Sequence, residues 1–214
     1  MDFPVFFAQT CPGMLARALM LTHNRQDAED AVQEAYAEAM RRWAELADRA
    51  PEEWVYQAVK RRLWAAARRW RMHRPLELVV SLPARCSTEQ AAEVRLVLDA
   101  LSRLPRKHRV VAYLHWAEGL SARQIAAELD TSESAVTAML GKARVALDSL
   151  LGLTGVRDRE ALTGKVRRVT LPGQPGEPAD AVAEALRRTE NQLRAGAAED
   201  AEALARISGR LGLS

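Results

Sequence analysis

Apolar side chains recur three and four residues apart along most of the chain, the spacing of a helix with one buried face. Val32, Tyr36, Met40 and Trp43 mark such a face on a segment whose N-cap is expected at Asp27, with Asp30 three residues later and acids in the first turn. A preceding helix is expected to start near Pro12 and to end at His23-Asn24, and Glu45 to Ala50 reads as a short connector. Pro51 opens a third helix, with Glu52 and Glu53 near its N-terminus and Val55, Val59, Leu63, Ala66 and Trp70 as its buried stripe. Between Pro75 and Thr88 the periodicity fades around two prolines, which predicts an extended linker.

The helical pattern resumes from about Glu89 to Leu151. Val94, Leu98 and Leu101 form one stripe, Leu104-Pro105 breaks it, and Val110, Val111 and Leu114 form the next. Glu118-Gly119-Leu120 predicts a turn. Ser121 and Gln124 then fit a capping box, in which each side chain satisfies the other's exposed backbone N–H. A short helix to Leu129, a tight turn at Asp130-Thr131-Ser132 and a long helix capped by Ser132 follow. From Gly152 onward glycines and prolines punctuate the chain. Val166 to Leu171 is a candidate strand, and two alanine-rich helices are expected at about 179–195 and 198–208. The expected fold class is therefore all-α: two small helical domains, 1–74 and 89–151, joined by an extended linker, 75–88, with a helical C-terminal extension, 152–214.

Composition narrows the function classes. The 214 residues are 48% hydrophobic and 28% charged, with a formal net charge of only +3, ordinary for a globular protein. Cys11 and Cys86 stand far apart, and no cysteine/histidine cluster has zinc-ligand spacing. No signal peptide is evident at Met1-Asp2-Phe3-Pro4, and charged residues interrupt every apolar run. A cytoplasmic location without a membrane partner is the expectation. His23, His73, His108 and His115 are scattered, and no glycine-rich phosphate loop or nucleophile motif occurs. No catalytic residue, metal or cofactor is expected.

Three stretches carry the chemistry. Leu120 to Leu147 reads as a helix-turn-helix. Val136, Leu140, Ala143 and Leu147 face inward on its second helix, and Ser134, Thr137, Ala138, Gly141 and Lys142 face outward, small enough to enter a major groove. Ser132 caps that helix, and Arg123, with Arg106, Lys107 and Arg109, is placed to meet phosphates. Lys60 to Arg74 holds seven cations and no acid. Gln57, Lys60, Arg61, Trp64, Arg68 and Arg71 share one helical face there, suited to an unpaired strand held by cations with a ring stacked on a base. Trp64 could equally pack as core. Asp27 to Tyr36 is acidic, and Asp30, Gln33, Glu34 and Glu38 fall away from its apolar stripe, which suits a protein partner or simply solvent.

In that arrangement the segment Asp27-Ala-Glu-Asp-Ala-Val-Gln-Glu-Ala-Tyr36 resembles the polymerase-binding helix of extracytoplasmic-function sigma factors. Pro51 to Arg71 is similar to their −10 helix. Leu98 to Pro105 and Glu118-Gly-Leu-Ser-Ala-Arg-Gln-Ile-Ala126 through Arg144 resemble their −35 domain. The resemblance covers about Phe6 to Leu151. It implies core RNA polymerase as partner, through the β′ clamp helices and the β flap, and promoter DNA; an anti-sigma factor stays open. Asp30, Gln33, Glu34 and Glu38 would meet the clamp. The Leu46–Ala50 loop, with Gln57, Lys60, Arg61, Trp64, Arg68 and Arg71, would handle the separated −10 strand. Arg123, Ser132, Ser134, Thr137, Ala138 and Lys142 would face the −35 duplex. Arg61 and Ala65 stand where family members often carry asparagine and aspartate, and the recognition helix is short of bulky or basic residues. Reading of −35 is therefore expected to lean on backbone contacts and DNA shape. The alternative function is an autonomous helix-turn-helix regulator that needs no polymerase. The extension is expected to pack on the chain's own domains, with masking of a polymerase- or DNA-binding surface as the sharper possibility.

Overall fold

A computed structural model describes residues 1–69, 82–84, 86–152 and 180–213, with the backbone alone at 65–69. Among the described residues the regular elements are helices, and they fall into two units, 1–91 with 190–214 and 92–189.

In the first unit α1 spans Phe3–Thr22 rather than starting at Pro12, which lies inside it. An internal proline removes one backbone hydrogen bond, so burial must offset the loss. Phe3, Phe6 and Phe7 are buried, and the Phe6 and Phe7 rings lie 4.9 Å from Trp43 and 5.0 Å from Tyr36. Burying each such ring contributes about 1.5–3 kcal/mol. α2 spans Arg25–Arg41, beginning before the expected cap at Asp27 because the Asn24 side chain accepts the Asp27 N–H at 3.0 Å. Its buried stripe is Ala28, Val32, Ala35, Tyr36 and Ala39, while Met40 is 42% exposed. Eight residues along a helix advance the face by about 80°, which carries Met40 off the stripe that Val32 occupies. The expected burial of Met40 is thus corrected. The Tyr36 hydroxyl shares a 2.7 Å hydrogen bond with Thr10 on α1.

The short α3, Trp43–Leu46, occupies the start of the expected connector, and Ala50 in the left-handed region (φ 47°) turns the chain into α4, Pro51–Arg69. Val55, Val59 and Leu63 are buried as expected; Ala66 and Trp70 lie outside the described side chains.

The second unit is built on α5, Thr88–Arg103, α6, Arg106–Trp116, α7, Ala122–Glu128, and α8, Glu133–Leu150. α5 buries Val94, Val97, Leu98 and Leu101, and Val110 through Trp116 of α6 are buried all round. The His115 Nδ1 lies 2.7 Å from the Leu120 carbonyl oxygen, which pins the turn between α6 and α7.

The extension contributes α9, Ala181–Glu199, and α10, Ala201–Gly209. Val182 and Leu186 of α9 are buried within the second unit, where Asp180 receives the Arg144 guanidinium of α8. Residues from Glu190 onward belong to the first unit, where Glu190 meets Arg17 of α1 at 3.5 Å and α10 packs along α2. The candidate strand at Val166 to Leu171 lies outside the described residues.

Candidate nucleic-acid and partner interfaces

The acidic edge of α2 is met by arginines from two directions. From α4, the Arg62 Nε approaches Glu34 at 3.2 Å and its Nη2 approaches Glu38 at 2.5 Å. The Arg62 hydrogen bond holds the Glu38 carboxyl below its ordinary range against the opposing effect of burial. The basic stretch holds no acid of its own, yet acids of another helix neutralise it at Arg62. Sequence spacing within α4 could not show this, because both acids sit on another helix. From the residue that follows α10, Arg210 donates to the Gln33 amide oxygen at 2.9 Å and lies 3.6 Å from Asp30. Even so the edge is open to solvent: the Glu34 side chain is 69% exposed and that of Asp30 46%.

Glu29, which the sequence reading passed over, is the buried acid of the helix. Its carboxylate accepts from Arg25 at 2.8 Å and, bidentately, from Arg206 at 2.9 and 3.1 Å. Burial acts to raise its pKa, but the hydrogen bonds from Arg206 and Arg25 prevail and hold it below the ordinary range. The Arg25/Glu29 spacing of four residues was a visible signal. Nothing local announced Arg206.

On α4 the expected face is divided. Arg61 is exposed, with its guanidinium 6.0 Å from the Trp54 ring, and Arg42 stands 5.3 Å from the same ring. Gln57 donates to Glu53 at 2.7 Å, and Trp64 is half-buried. Lys60 is corrected: only 3% exposed, it sets its ammonium 4.5 Å from the Tyr56 ring centroid. It lies next to Val59 in the contact with the bundle, so its stem is covered and its charge rests on an aromatic face. The aromatic amid cations at this surface includes Trp54, half-buried and overlooked in the sequence reading. The Arg68 side chain and all of Arg71 lie outside the described residues.

The helix-turn-helix has the expected local chemistry. The Ser121 N–H donates to Gln124 Oε1 at 2.9 Å, and the Gln124 N–H donates to Ser121 Oγ at 3.3 Å. Gly119 (φ 75°) and Asp130 (φ 51°) take the left-handed region at the two turns. Ser132 caps α8 by accepting the Ala135 N–H at 3.2 Å. Val136, Leu140, Ala143 and Leu147 are buried, and Arg123, Ser132, Ser134, Thr137, Ala138 and Lys142 are exposed. Ser132 and Thr137 are partly committed to the helix itself, since Ser132 lies 3.1 Å from Ser134 and Thr137 donates to the Glu133 carbonyl at 2.9 Å. Arg109 is corrected. It is 7% exposed, and burial, with Arg106 nearby, brings its pKa down to about 10. An enclosed guanidinium does not reach a phosphate, whereas Lys107 and Lys142 are exposed.

Among the described residues no helix is long and apolar enough to cross a membrane, and no group of three or more potential metal ligands occurs.

Comparison with known proteins coincides with the two units. The family description "Sigma-70 region 2" matches residues 7–74, and "Sigma-70, region 4" matches residues 95–147. The chain is 33% identical over 143 residues to the probable RNA polymerase sigma factor RfaY of Xanthomonas campestris pv. campestris, covering 60% of this chain and 35% of that protein. It therefore spans about a third of that relative's length. It is 29% identical over 150 residues to the RNA polymerase sigma-E factor of Streptomyces coelicolor, covering 67% of this chain and 82% of that one. Among solved structures it is similar to the sigma factor RpoE in complex with the anti-sigma factor NepR from Bartonella quintana, with a TM-score of 0.53 and 22% identity over 71% of this chain and 98% of that one, a likeness of fold. Two regions of one family in their family order, carried by an all-α fold and shared with sigma factors of Xanthomonas and Streptomyces, establish that this chain belongs to the extracytoplasmic-function group of the sigma-70 family of RNA polymerase sigma factors.

Proposed function

We propose that the chain binds core RNA polymerase, recognises the −35 and −10 elements of a promoter and promotes the strand separation that begins transcription. In this reading the α2 edge, Asp30, Gln33, Glu34 and Glu38, meets the β′ clamp helices, and the second unit meets the β flap. The outward face of α4, with Gln57, Arg61 and Trp64, holds the separated −10 strand, to which the sequence adds Arg68 and Arg71. Trp54 joins it, and Lys60, enclosed against Tyr56, supports that face from beneath. Arg123, Ser134, Thr137, Ala138 and Lys142 face the −35 duplex, with Ser132 holding the start of α8.

One observation carries the reading: an acid-edged bundle helix that stays open to solvent occurs in the same chain as a helix-turn-helix with an uncrowded outer face. A regulator acting alone on duplex DNA has use for the second feature only. Acids repel DNA and favour a basic protein surface.

The test is polymerase capture. Glu34→Lys should weaken core binding by about tenfold or more, because it reverses charge at an exposed position without opening the core. Failure of the unmodified chain to capture core polymerase, with duplex binding retained, would establish the autonomous-regulator alternative instead, whereas unchanged capture by Glu34→Lys would remove the α2 edge from the contact. Run-off transcription with purified core polymerase on a promoter library then identifies the elements read.

A further inference from the structure

α10 lies on the same α2 edge that the proposed function gives to polymerase. Ala203, Ile207 and Leu211, four residues apart, are buried on one side of this C-terminal segment. Arg206 and Arg210, also four apart, reach over α2 to Glu29 and to Gln33 and Asp30. Asp200 caps α10 by accepting the Ala203 N–H at 2.9 Å and also takes the Arg25 guanidinium of α2. Apolar stripe, two arginines and capping aspartate thus all engage one helix face.

From this geometry we infer that the C-terminal helix is a built-in competitor of core RNA polymerase, docked on α2 with Arg206 and Arg210 standing in for the basic residues of the enzyme. The inference rests on the proposed use of α2 and adds to it a closed state. The part of the edge that Arg210 occupies, at Asp30 and Gln33, cannot at the same time be gripped by polymerase, although Glu34 beside it stays exposed, and a surface that complements Asp30 and Gln33 must present donors where Arg210 does. The contact is also built to open. The Arg206 and Arg210 side chains are 48% and 65% exposed, so water can replace their bonds as the helix lifts. Being on the same chain, α10 competes at high effective concentration, and the measured affinity for polymerase falls by the fraction of molecules that are open.

The experiment uses the full chain and purified core polymerase. Arg206→Glu should bind core about five- to fiftyfold more tightly than wild type, the inverse of the open fraction. Hydrogen exchange on the unmodified protein is an independent reading: α10 amides should lose protection when polymerase is added. Arg206→Glu affinity equal to or weaker than wild type would overturn the inference, as would α10 amides that keep or gain protection on binding. Glu34→Lys, run beside them, separates the two levels. If it weakens binding while Arg206→Glu changes nothing, the competitor fails and the α2 assignment stands; if neither variant alters binding, the α2 assignment itself is lost.

Discussion

Glu29 shows what one buried charge requires. Its side chain is 9% exposed, and an enclosed carboxylate without donors would be strongly unfavourable. Two arginines supply them. Glu29→Gln should lower stability by about 1–2 kcal/mol, read from urea unfolding monitored by circular dichroism. The pH dependence has a defined sign. Because the folded-state pKa is lowered, the contribution of Glu29 is complete above the ordinary carboxylate range and is lost as pH falls through the lowered value. The stability gap between wild type and Glu29→Gln should therefore narrow from about pH 5 towards pH 3; a gap that widens on acidification would contradict the ion pairs. Cys11 behaves oppositely. Burial pushes its thiol up to about 12, so it stays protonated and slow to react. Alkylation of the native protein at pH 8 should modify the half-buried Cys86 first and reach Cys11 only on unfolding.

Among elements, α8 joins a buried face to an exposed one. Leu140 is 2% exposed, and Leu140→Ala should cost about 2–5 kcal/mol, seen as a lower thermal midpoint for the second unit. Lys142 on the opposite face has no such packing to lose. Lys142→Ala should leave the melting temperature unchanged and weaken promoter binding evenly across −35 variants, with the slope of log affinity against log salt smaller by about 1. A loss confined to one base pair would instead assign Lys142 a base contact. At the start of α7, Ser121→Ala removes half of the capping box and should cost about 1 kcal/mol.

For the molecule as a whole, what was legible in the sequence followed the range of the interactions. The apolar register of α8, the capping box of α7 and the family order of the two units were readable, because each depends on residues within a turn or two of one another. The start of α1 was not, since Phe3 is drawn into the helix by aromatic rings from α2 and α3. Lys60 and Arg109 have the sequence context of surface cations, yet packing encloses both. Arg62 stands among cations in the sequence, but its partners are Glu34 and Glu38, more than twenty residues away.

Helical periodicity and capping are local physics, so the chain's own order determined that this protein is all-α, where most helices lie and which residues of α8 face outward. Which charges meet is decided by the faces that packed helices present to each other, and that information is not periodic. Arg206 lies 177 residues from Glu29. Only the tertiary structure brings the two within hydrogen-bonding distance, and with them the C-terminal helix onto the α2 edge that we propose polymerase grips.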